Sequence, residues 1–88
     1  MPAIVTIIPS AKRALLKLPS GNKFQIVKKI DLLSNEPFPH GCKKLHGERD
    51  TYRLRSGDYR IIYVVHKQKS NQHISIMRIA HRKEVYKP

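Results

Sequence analysis

The chain's 88 residues carry 18 Lys and Arg against six Asp and Glu, a formal net charge of +12, with 40% hydrophobic residues. That length fits one domain, 1–88, with no room for a second, and a single Cys excludes both an internal disulfide and a Cys-pair metal site. So lopsided a charge opposes compaction and exceeds what solubility requires, which points to a polyanionic partner, nucleic acid first.

Residues 3–8 are rich in β-branched side chains and read as a first strand ending at Pro9. This opening lacks the basic region and longer apolar run of a signal peptide, and nothing approaches a membrane span. With the unpaired Cys42, a cytoplasmic protein is expected, with no membrane partner. Ala11, Ala14, Leu15 and Leu18 then recur at helical spacing, started by Pro9-Ser10 and ended by Pro19-Ser20-Gly21. A second helix is expected over 22–34. Its apolar face is Ile26, Val27, Ile30 and Leu33, Asn22 and Gln25 resemble a capping box, and Asn35-Glu36-Pro37 stops it. The two form a helical hairpin packed on a sheet.

Residues 35–50 read as a polar loop holding the basic cluster Lys43, Lys44 and His46. Strands follow at Thr51 to Arg55, Tyr59 to His66 and His73 to Ala80, separated by the turn Ser56-Gly57-Asp58 and a polar turn over 67–72. The tail runs from His81 to Pro88. The order is β-α-α-β-β-β, an α+β domain.

Arg53 and Arg55 project from one side of their strand while Tyr52 and Leu54 face the helices. Arg60, on the next strand, can approach them. Three clustered guanidiniums make sense around a phosphate, whose oxygens the planar fork binds in pairs. The plain alternative is a solvated face paired to Asp58, Glu48 and Asp50. In the tail, His81 can exchange protons near neutral pH and Arg82 can stabilise charge on a phosphorane. Tyr86 can act in proton transfer once cations lower its pKa, or stack on a base. A surface histidine and a packed C-terminal tyrosine are the structural alternatives. Lys43 and Lys44 either touch phosphates or are simply solvated. Tyr52, Tyr59 and Tyr63 suit sheet packing. His40 and His46 lack the partners of a metal site, and His66 and His73 flank a turn as exposed residues, so neither metal nor small-molecule cofactor is expected.

Lys43-Lys44-Leu45-His46-Gly47, then Tyr52-Arg53-Leu54-Arg55-Ser56-Gly57-Asp58-Tyr59-Arg60-Ile61-Ile62-Tyr63, then His81-Arg82-Lys83-Glu84-Val85-Tyr86 resemble the RelE/ParE toxin superfamily in order and spacing. The resemblance covers nearly the whole chain. It implies a microbial-ribonuclease-like fold, with a helical hairpin on a twisted, mostly antiparallel sheet. It further implies a RelE-like toxin of a type II toxin–antitoxin system that cuts messenger RNA on the ribosome, leaving a 2′,3′-cyclic phosphate and a 5′-hydroxyl. On this reading Arg60 holds the scissile phosphate, Arg53 and Arg55 stand where relatives keep basic catalytic residues, and Arg82 stabilises the transition state. His81 or Tyr86 handles the 2′-hydroxyl proton. Arg78 and Lys83 join Lys43, Lys44, Arg53 and Arg55 as RNA-binding candidates, and a cognate antitoxin is the implied partner. Some relatives carry Lys where this chain has Arg53 and Arg55. Arginine stays protonated, so these positions suit charge stabilisation better than base catalysis.

Two other functions fit the same residues. One is a ParE-like inhibitor of DNA gyrase, although the His-Arg-Lys-Glu-Val-Tyr ending favours the RelE branch. The other is a non-catalytic basic module that binds RNA or the ribosome.

Overall fold

In the computed structural model, residues 3–67 and 72–85 are described. Strand β1 (Ile4–Ile7) is short because Ile8 already caps the next helix in an extended conformation and Pro9 takes its first position. Proline suits that position, since its fixed φ is helical and its missing N–H has no partner to lose there. Helix α1 (Pro9–Leu16) closes earlier than the apolar spacing predicts. Lys17 donates to the Ala14 carbonyl and Leu18 to that of Leu15, both at 3.2 Å, a tightened last turn before Pro19.

Helix α2 (Ser20–Asn35) begins two residues before the expected start. Pro19 cannot donate, but its carbonyl accepts the Lys23 N–H at 2.9 Å and opens the helix there. Asn22 and Gln25 therefore lie inside the first turns, and the helix has no side-chain cap. Ile26, Ile30 and Leu33 are buried. Val27, expected among them, is exposed because it stands well off the line those three define at 3.6 residues per turn.

The remaining strands are β2 (Lys43–Lys44), β3 (Thr51–Ser56), β4 (Tyr59–Lys67) and β5 (Gln72–His81), followed by one turn of helix, α3 (Arg82–Val85). β2 corrects the expectation of an unbroken loop over 35–50: two lysines carry no strand pattern of their own and pair only because β3 offers an edge. The sheet order is β1-β5-β4-β3-β2. β1 runs parallel to β5, and the other pairings are antiparallel. α1 and α2 pack on one face, where Ala11, Leu15, Ile26, Ile30 and Leu33 meet Leu54, Ile61, Tyr63, Val65, Ile74, Ile76 and Ile79 in one core.

Tyr63 is fully buried and donates its hydroxyl to the Pro37 carbonyl at 2.8 Å, tying the segment after α2 to the sheet. Burial above all, and a hydrogen bond with the Cys42 side chain, hold its pKa above the ordinary tyrosine value. Its ring stacks on Tyr52, whose ring also meets that of Phe38. Tyr52 and Tyr59 are partly buried against the core, so all three strand tyrosines serve packing. No helix among the described residues is long and apolar enough to cross a membrane.

Candidate nucleic-acid interface

One irregularity in β5 decides which side chains share the sheet face turned away from α1 and α2. Ile62 of β4 pairs with Arg78, yet its neighbour Tyr63 pairs with Ile76, so Met77 is an extra residue, a β-bulge. An unbroken strand would send 73, 75, 77 and 79 to one side. The bulge resets that alternation. Ile74, Ile76 and Ile79 all enter the core, while His73, Ser75 and Arg78 all reach the outer face.

On that outer face the ladder registers gather the basic residues into two adjacent rows. Lys43, Arg53, Ile62 and Arg78 form one row across β2, β3, β4 and β5. Arg55, Arg60 and Ala80 form the next. The strands place no Asp or Glu on this face, so every charged side chain in the two rows is a cation. Gly41, Lys43, Arg53 and Arg55 line a hollow of about 260 Å³ at its β2 margin.

The expected approach of Arg60 to Arg53 and Arg55 is therefore met, with Arg55 directly opposite Arg60. Arg60 differs from its neighbours in burial: it is 4% exposed. One guanidinium nitrogen donates to the carbonyls of Gly57 (3.1 Å) and Tyr59 (3.0 Å) in the β3–β4 turn. Burying a guanidinium is costly without such acceptors. Gly57 holds the turn with φ of +58°, a conformation that a side chain disfavours. Arg60 is thus a fixed positive charge in the floor of the face, whereas Arg55 and Arg78 are exposed on it.

The tail residues are placed differently. His81 is the last residue of β5 and pairs with Tyr59, so strand alternation puts it on the α1/α2 side with Ile61 and Ile79. Its ring meets Tyr59 edge-on at 5.5 Å. The Lys83 N–H donates to Nδ1 at 3.2 Å, which in the neutral ring leaves the proton on Nε2. Arg82 is exposed; its backbone N–H donates to the Asp58 carbonyl at 2.7 Å, and its side chain stands 4.0 Å from the Asp58 carboxylate. Both partners are largely in water, so this pair contributes little to stability. Lys83 is exposed, and Lys44, opposite Tyr52, belongs to the other side of the sheet from Lys43. Tyr86 lies outside the described residues.

The sequence reading missed the bulge in β5 that puts Ser75 and Arg78 on one face. Its signal was the spacing of Ile74, Ile76 and Ile79, a step of two followed by a step of three that no regular strand buries on one side.

A family model described as "ParE toxin of type II toxin-antitoxin system, parDE" matches residues 5–86. No curated protein matches the chain. Among solved structures, the archaeal RelE in the RelE–RelB complex of Pyrococcus horikoshii OT3 is 33% identical, with 93% of this chain and 97% of that one covered at a TM-score of 0.79. The toxin–antitoxin complex RelBE2 of Mycobacterium tuberculosis contains a chain 31% identical, with 93% and 100% covered at a TM-score of 0.77. A doubly substituted E. coli RelE in the free state is 28% identical, with 98% and 92% covered at 0.76.

Proposed function

Because the chain belongs to the RelE/ParE superfamily of type II toxin–antitoxin toxins, we propose that it is an endoribonuclease that cuts messenger RNA on the ribosome in the cytoplasm. The observation that carries this reading is the pair of basic cross-strand rows on one open sheet face. Like charges set side by side destabilise a sheet, and a phosphate chain laid along them removes that cost.

In the proposed reaction the 2′-oxygen bonds to the adjacent phosphorus and the bond to the 5′-oxygen breaks. The products are a 2′,3′-cyclic phosphate and a 5′-hydroxyl, the leaving 5′-oxygen taking up a proton from water. Arg53, Arg55, Arg78 and Lys43 hold the phosphates, and Lys83 adds a contact beyond the end of β5; Lys44, on the other side of the sheet, takes no part in this face. Arg60 supplies a positive charge that needs no reorganisation when the phosphorane forms, and Arg82 joins it at the open end. Proton removal from the 2′-hydroxyl is assigned to Tyr86, which follows the cations Arg82 and Lys83 in sequence. His81 is the weaker candidate, because its bond from Lys83 favours the tautomer that donates through Nε2. The cognate antitoxin is proposed to cover this basic face, as an acidic partner would.

Purified protein added to translating ribosomes should yield new messenger 5′ ends at codon-spaced positions. The ParE family model favours a second reading, inhibition of DNA gyrase. Loss of plasmid supercoiling with intact messages would establish that reading and remove the nuclease.

A further inference from the structure

The outer face continues past the arginine rows. Two rungs beyond Ile62, His66 of β4 stands directly opposite His73 of β5, their ring centroids 5.6 Å apart and inclined at 57°. Each ring is held by a hydroxyl: Thr6 Oγ1 lies 2.8 Å from His73 Nε2, and Ser75 Oγ lies 3.1 Å from His66 Nε2. Thr6 and Ser75 are themselves cross-strand partners, so three strands converge on this pair. Neither histidine belongs to the core. Plain alternation along β4 puts His66 on the face that carries Arg53, and the Met77 bulge puts His73 on the same face as Arg78.

We propose that His66 and His73 form a base-stacking platform at the far end of the phosphate-binding face. The inference rests on the RNA reading above and extends its substrate contact. His66 is four steps along β4 from Ile62, about 13 Å at roughly 3.3 Å per residue. That distance is about four stacked nucleotides at roughly 3.4 Å each. Imidazole rings present flat π faces, and single-stranded RNA is gripped by stacking such faces on unpaired bases. Hydroxyl partners that fix the ring planes reduce the entropy lost on stacking. The rings thus supply what the arginine rows lack, a contact to a base in place of a phosphate.

The test uses 2′-O-methyl oligonucleotides, which cannot be cleaved, of about three and about eight nucleotides. The longer one reaches the histidines from the arginine rows and the shorter one does not. Replacing both histidines (His66→Thr with His73→Thr, residues suited to an exposed strand) should weaken the longer oligonucleotide about tenfold and leave the shorter unchanged. The salt dependence should keep its slope, since no phosphate contact is lost. Equal loss on both lengths, no loss, or a shallower salt slope each overturns the proposal. Imidazole NMR signals of the unmodified protein supply a readout that needs no variant: both rings must shift with the longer oligonucleotide only. Arg53→Gln separates the two levels of inference. If it weakens both lengths while the histidine changes do nothing, the platform alone fails; if the unmodified protein binds neither, the RNA reading fails with it.

Discussion

Arg55 and Arg60 stand directly opposite each other across the β3–β4 ladder, two cations on one sheet face. Arg60 is turned into the floor and held by the Gly57 and Tyr59 carbonyls, while Arg55 remains exposed. Replacing Arg55 removes a like-charge neighbour from a buried guanidinium. Arg55→Thr should therefore leave stability unchanged or raise it by about 0.2–1 kcal/mol in urea denaturation. The same change should lower RNA affinity and reduce the log–log salt slope by about 0.7. A variant that loses stability and keeps its salt slope would show that Arg55 serves the fold.

The Tyr63 hydroxyl is a structural bond, so Tyr63→Phe should cost about 1–3 kcal/mol by stranding the Pro37 carbonyl. Its pKa is raised in the folded state, chiefly by burial. The folded protein then keeps a proton that the unfolded chain releases. The associated stability is fully present below pH of about 10 and falls as pH rises beyond it. Denaturation curves across the alkaline range should show this decline, and Tyr63→Phe should flatten it.

The two proton-transfer candidates can be separated by rate. Tyr86→Phe should lower single-turnover cleavage on the ribosome by about 10²-fold or more, the scale of a lost general acid or base. His81→Ala should change it by only a few fold, because His81 lies on the α1/α2 side of the sheet against Tyr59. The reverse ranking would move the proton step to His81.

Met77 sets the facing of everything after it in β5. Deleting it removes the extra residue and joins Ile76 to Arg78 in plain alternation, so Arg78 should stay on the outer face and Ile79 in the core. The shortened strand should therefore fold and keep RNA binding, with little change in melting temperature, as should Met77→Ala, which keeps the extra residue. A sharp fall in melting temperature with loss of RNA binding in the deletion alone would show that the bend at the bulge is itself required.

Much of this protein is written in local patterns. The β-branched runs, the helical spacing of Ala11, Leu15, Ile26, Ile30 and Leu33, and Pro9 and Pro19 at helix entries fix element type and order, because these effects act within a turn or a strand. The gathering of Arg53, Arg55 and Arg60 was equally legible, since a hairpin with a short turn dictates its own register.

Other features required the assembled sheet. β2 exists because β3 lends it an edge, and the turn carbonyls that accept the Arg60 nitrogen help to bury its charge. Lys43 and Arg78, far apart in sequence, share one row with Arg53 through long-range ladders. The bulge at Met77 determines that His73 and Arg78 look outward together and that His81 does not. The composition by itself determined that the chain is strongly cationic, and so made a polyanionic partner the expectation. Strand register, a tertiary property set by which side chains the core can bury, decided where on the sheet that charge is offered.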